Sequence, residues 1–153
     1  YSLIQSQMIF LDVEVNNKNE ALEYLVKQAE ENGLIIDHKL LLEEVKKREE
    51  KVSTAMEFNI AIPHGKSDTV IEPFISYMKT QNPFPWDEDS PNLVQYIFLI
   101  GVPKKDGNKI HLKYISEVSR KLIDDDFRRK LFNCKSVKET YDLLNSINKE
   151  TTI

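Results

Sequence analysis

The spacing of apolar positions along the 153-residue chain changes several times, and each change marks an element. From Met8 to Val15 apolar and polar residues alternate as in a half-buried strand, and Asn16-Asn17-Lys18-Asn19 supplies a turn. Ala21, Leu22, Leu25, Val26 and Ala29 then recur at helical spacing, which predicts a helix from about Lys18 to Asn32 with Gly33 as its carboxyl-terminal cap. Asp37 caps a second predicted helix that turns Leu40, Leu41 and Val45 inward and ends near Arg48 or Glu50. Arg48 is thereby brought close to the next apolar stretch.

That stretch is Asn59-Ile60-Ala61-Ile62-Pro63-His64-Gly65. Ile60 and Ile62 fit a buried pleat, Pro63 cannot continue a central ladder, and Gly65 lets the backbone approach a bulky anion closely. The pattern predicts a short strand that delivers His64 into a glycine-containing turn, a common place for a site, although a loop histidine without a task fits the same pattern. Pro73 to Lys79 and Leu93 to Val102 read as further strands, the second apolar enough to be central. The proline- and acid-rich stretch from Gln81 to Asn92 reads as a loop, with Trp86 as an anchor packed on the body of the protein. Helices follow from about Lys109 to Ile123, burying Ile115, Val118 and Leu122, then at Asp125 to Phe132 and Val137 to Ile147. Strands interleaved with helices on an unbroken chain predict an α/β fold, a mixed parallel/antiparallel sheet covered by helices on both faces.

Composition narrows the class. The length suits one domain spanning 1–153. Hydrophobic residues at 41% and charged residues at 30% are ordinary for a globular protein. A net charge of -4 argues against a nucleic-acid surface, which needs a concentrated basic patch. The run Glu43 to Lys51 carries both signs and, Arg48 apart, reads as the solvated face of a helix. The single cysteine, Cys134, makes no internal disulfide and is compatible with a reducing compartment. No run approaches the roughly 18 to 20 apolar residues that span a bilayer, and Tyr1-Ser2-Leu3 lacks a signal pattern, so a cytoplasmic location is expected. Because residue 1 is not methionine, a trimmed, processed or excised start stays open.

Several blocks in order carry a resemblance. Arg48-Glu49-Glu50 is followed by Ser53-Thr54-Ala55 and the Ile-Ala-Ile-Pro-His-Gly run; Ile110-His111-Leu112-Lys113 continues through Ser119-Arg120-Lys121-Leu122; Asp124-Asp125-Asp126-Phe127-Arg128 comes next. From about Arg48 to Leu144 the chain resembles the fructose/mannitol type of enzyme IIA, a phosphocarrier of the bacterial phosphoenolpyruvate-dependent sugar phosphotransferase system. The resemblance implies that His64 is phosphorylated, that the donor is the histidine phosphocarrier protein, and that the acceptor is a cysteine of enzyme IIB, which serves a membrane enzyme IIC permease. It implies no cofactor.

The chemistry is compatible with that implication. Imidazole near neutral pH is partly unprotonated and forms a labile phosphoramidate, which suits a relay. Phosphoryl transfer asks the protein mainly for in-line positioning and charge stabilisation. Arg48 offers a two-pronged donor to phosphate oxygens, and His111 a hydrogen bond helped by the amino end of the helix it opens. A partly buried capping role for His111 remains open. Thr54 matches a family position near the active histidine and, with Ser53, could add a hydroxyl to the phosphate, though such hydroxyls more often bond their own backbone. His38 falls outside both motifs and is expected at the surface. The three histidines lie too far apart in sequence for a metal-ligand run, and nucleotide-binding and serine-hydrolase motifs are absent. A sugar-transport role is favoured by Trp86 and the stretch Val94 to Pro103; the alternative is a regulatory module of the nitrogen-related or transcription-regulator type, in which the same histidine controls a protein partner.

Overall fold

The computed structural model describes residues 2–89 and 92–151; Tyr1 and positions 90–91 of the predicted 81–92 loop lie outside them. The chain runs β1 (Ile9–Val13), α1 (Lys18–Glu31), α2 (His38–Lys51), β2 (Ala55–Met56), β3 (Ile60–Ala61), β4 (His64–Ser67), β5 (Phe74–Pro85), β6 (Leu93–Pro103), α3 (Gly107–Ile123), α4 (Asp125–Asn133) and α5 (Val137–Thr151). The strands form one mixed sheet in the order β1-β5-β6-β3-β2, with β4 also on β6. β1 is parallel to β5, β5 antiparallel to β6, and β3 and β4 parallel to β6.

β6 is central because both of its faces are apolar. Val94, Ile97 and Leu99 face the layer that holds α1 and α2, whereas Tyr96, Phe98, Ile100 and Val102 face the layer that holds α3, α4 and α5. Ala21, Leu22, Leu25, Val26 and Ala29 of α1 are all fully buried against the first face. Val118 and Leu122 of α3, with Leu144 and Ile147 of α5, cover the second. Asn17 and Asp37 cap α1 and α2 through their side chains. Gly33, at φ +75°, ends α1 in the left-handed conformation that glycine adopts without strain.

The structure departs from the pattern in several places, among them Leu40, expected to face inward but 50% exposed, and the unexpected short strand β2. The stretch from Gln81 was expected to be loop, but β5 continues to Pro85, pairing Phe84 with Val94 after a register shift. Pro83 and Pro85 are tolerated because β1 pairs no further than Thr80, so β5 is an edge strand from there on. His64 and Gly65 were expected in a turn, but they open strand β4, which pairs with β6 from Ile100 to Pro103. Pro63 interrupts the strand without ending it. Finally, α3 starts at Gly107, earlier than Lys109, because a short 3-10 turn at Lys104–Asp106 leads straight into it.

Candidate functional site

β3 and β4 are two halves of one line beside β6, broken at Ile62-Pro63. The break turns the Ile62 carbonyl out of the ladder, and His64 Nδ1 lies 2.9 Å from that oxygen. A carbonyl only accepts, so Nδ1 carries the proton and donates it. Nε2 is left with its lone pair uncommitted among the described residues. His64 is only 7% exposed, and burial, its largest influence, pushes its pKa below the ordinary value. Arg48 pushes the same way, while the Ile62 hydrogen bond and Glu49 oppose. The ring is therefore neutral at neutral pH.

His111 reaches the same place from α3. Its ring meets the His64 ring edge-on, with centroids 4.9 Å apart and planes at 71°. Its pKa is lowered to about 4, first by burial, then by His64, which charges before it on acidification, and by the positive Lys66 and Arg48. Its Nε2 is buried with no hydrogen-bond partner. Because α3 begins at Gly107, His111 lies in the second turn and does not open the helix. The expected help from the helix amino end is thus removed, since that effect fades beyond the first turn.

Arg48 comes from the last turns of α2, which packs closely on β4 at Gly65. A Cβ placed at Gly65 would sit 3.0 Å from Val45 Cγ2 and 3.2 Å from the Val45 nitrogen. The glycine admits the helix, a different task from the anion approach expected of it. Arg48 Nη1 donates to the Val52 carbonyl at 2.7 Å. His64, His111 and Arg48 thus line one open pocket of about 460 Å³, together with Lys47, Lys51 and Lys66 and the acids Glu44 and Glu50. The pocket is a cationic bowl with an uncharged, uncommitted imidazole nitrogen in its wall. Such a bowl suits an anion the size of a phosphoryl group.

The other expected site residues lie elsewhere. Thr54 does not line the pocket; its hydroxyl and its backbone N–H both bond to Glu49. Ser53 Oγ donates to Asp87. His38 Nδ1 lies 2.8 Å from Glu30, so its ring is half-buried and held. Trp86 is an anchor, as expected: it is 2% exposed, and its indole N–H donates to Glu49 at 3.2 Å. Glu49 itself was read as part of a solvated face, and this is corrected by its 6% exposure. Helical spacing held the missed signal, since Glu49 lies four residues after buried Val45.

A three-layered α/β fold with a histidine and an arginine at a broken strand defines a class, and comparison with known proteins identifies it. The chain belongs to the family described as phosphoenolpyruvate-dependent sugar phosphotransferase system EIIA 2, whose pattern matches residues 2–147. Members of this family are phosphotransferase components that work through a phosphohistidine intermediate. The chain is 32% identical over 130 residues to the fructose-specific EIIABC component of Mycoplasma pneumoniae, covering 85% of this chain and 18% of that protein. It is 29% identical over 141 residues to the fructose-specific EIIA component of Haloferax volcanii, covering 92% and 91% of the two chains. The crystal structure of nitrogen regulatory protein IIA-Ntr from Neisseria meningitidis superposes with a TM-score of 0.80 at 27% identity, covering 93% and 96% of the two chains. Among the described residues, no helix is long and apolar enough to cross a membrane.

Proposed function

We propose that this chain carries a phosphoryl group on His64 Nε2 between the histidine phosphocarrier protein and a cysteine of enzyme IIB, for uptake of fructose or a related sugar by a membrane enzyme IIC. The observation that carries the reading is the Nδ1–H bond from His64 to the Ile62 carbonyl, which leaves Nε2 as the nucleophile beside Arg48. In the first step the Nε2 lone pair attacks phosphorus, the N–P bond of the donor histidine breaks, and its electron pair returns to the donor ring. In the second, a cysteine sulfur forms the S–P bond while the His64 N–P bond breaks, and the pair returns to Nε2. Arg48 offsets the charge on the peripheral oxygens, and an uncharged His111 donates an Nε2–H to one of them, so that Nε2 gains the partner it lacks. Thr54 serves this site through the backbone. The names of the Mycoplasma and Haloferax relatives support the fructose branch, and the joined A, B and C components of the former support an enzyme IIB acceptor. In this reading residues 1–153 act as one cytoplasmic domain.

The test supplies phosphoenolpyruvate, enzyme I and the histidine phosphocarrier, and locates the label by mass spectrometry under non-acidic conditions. Wild type takes one phosphoryl group on His64, His64→Ala takes none, and added enzyme IIB discharges it. Equal absence of label from wild type and His64→Ala would sink the reading. The likeness to IIA-Ntr favours a second role, in which phosphorylated His64 controls a protein partner. A cognate enzyme IIB that leaves the label untouched would select that role.

A further inference from the structure

Both Arg48 and His64 are tied to one short segment, residues 52–54, and that segment is held by a buried carboxylate. The Val52 carbonyl accepts from Arg48 Nη1 at 2.7 Å. The Thr54 carbonyl accepts from the Ile62 N–H at 3.1 Å, and the Ile62 carbonyl in turn accepts from His64 Nδ1. Glu49 grips Thr54 twice, through its backbone N–H at 3.2 Å and its hydroxyl, and holds the Trp86 indole N–H with the same Oε2 that meets the backbone. Asp87 adds an outer brace, accepting from Lys18 Nζ at 2.8 Å and from Ser53 Oγ.

We propose that Glu49 is a positioning residue for phosphoryl transfer: through Thr54 and Ile62 it fixes the His64 ring with Nε2 toward the pocket, and through Val52 it fixes the Arg48 fork. The proposal rests on the phosphocarrier reading above. A carboxylate at 6% exposure with three donors is not a surface charge that happens to lie inward. It is also the acceptor that makes the tryptophan loop part of the site, because Trp86 does not line the pocket yet bonds to the residue that sets both catalytic groups. A bare hydrophobic strut at position 49 would bury the indole equally well, but would leave the Thr54 and Trp86 donors unpaired.

The test compares wild type with Glu49→Ala and Glu49→Gln by nitrogen-15 correlation spectra of the histidine rings and by steady-state phosphorylation from the histidine phosphocarrier. In Glu49→Ala the His64 ring is expected to lose its single Nδ1–H tautomer, and kcat to fall roughly 10- to 100-fold, with KM for the donor within about twofold, because a small misplacement acts on the reacting geometry. Glu49→Gln keeps one acceptor oxygen for three donors, so it recovers part of the loss and stays about 3- to 10-fold below wild type. A wild-type tautomer together with wild-type kcat in either variant overturns the proposal, as does a loss confined to KM. If Glu49→Ala does not fold, Glu49→Gln decides alone by the same two readouts. The spectra need no phosphoryl donor, so failure of wild type to take label would remove the phosphocarrier reading while the tautomer still decides the role of Glu49.

Discussion

Arg48 uses one N–H of its fork on the Val52 carbonyl and lines the pocket with the rest of the group. A lysine at this position keeps the charge but has to choose between the carbonyl and the phosphoryl oxygens, and it cannot make two parallel bonds. One lost charge-assisted hydrogen bond is worth about 1.5–3 kcal/mol, so Arg48→Lys should slow phosphorylation of His64 by roughly 10- to 100-fold while leaving stability near wild type. Single-turnover rates with excess phosphorylated donor measure this directly, and a Lys variant at wild-type rate would show that Arg48 contributes charge alone. In the proposed reading, His64 needs no partner base to act as the nucleophile. Burial keeps it neutral, and the Ile62 carbonyl takes the proton-bearing nitrogen out of contention.

At the scale of elements, the site depends on how closely α2 approaches β4. A methyl at Gly65 meets both the side chain and the backbone nitrogen of Val45, so the helix must yield by a few tenths of an ångström one turn before Arg48. Gly65→Ala should therefore cost about 1–3 kcal/mol of stability, read from the urea midpoint, and should also slow phosphorylation. Loss of stability with an unchanged rate would mean that Arg48 is placed independently of this packing. The same region shows what a sequence can and cannot reveal. The helical period of Ala21 to Ala29, the apolar run Tyr96 to Ile100 in β6 and the proline before His64 were all legible, since burial and backbone chemistry write them locally. That Gly65 makes room for a helix was not, because the neighbour, Val45, is distant in sequence. The burial of Glu49 was written in its helical spacing from Val45, but the indole 37 residues away that it meets was not. Thr54 misled for a different cause: its hydroxyl looks free in sequence, and the carboxylate five residues back meets it only through the local fold. Arg128, quoted only as part of a motif, proves to be a buried clamp that donates to the Leu122 and Ile123 carbonyls at the end of α3 and lies over the Phe58 ring.

For the whole molecule the two site histidines set a pH dependence of folding. Both are held below their ordinary value in the folded protein, His111 to about 4, chiefly by burial. Unfolding exposes them and returns each toward about 6.5. Between those limits the unfolded chain binds more protons than the folded one, so the free energy of unfolding rises with pH. Their contribution is fully present above about pH 6.5 and is lost as pH falls through the folded values. The carboxylates of Glu30, Asp87 and Asp126 are lowered from ordinary values near 4 and act in the same direction, but their loss belongs to a more acid window. Urea midpoints measured between about pH 7 and 5.5, above the ordinary value of Glu30, therefore isolate the histidines. They should fall steadily on acidification in wild type and fall less in His111→Gln, which has no proton to take up. Equal slopes in the two proteins would mean that His111 is solvated in the folded state and free to charge. The pocket would then present four cations with two titrating rings, and the neutral partner awaiting a phosphoryl oxygen would have to be abandoned.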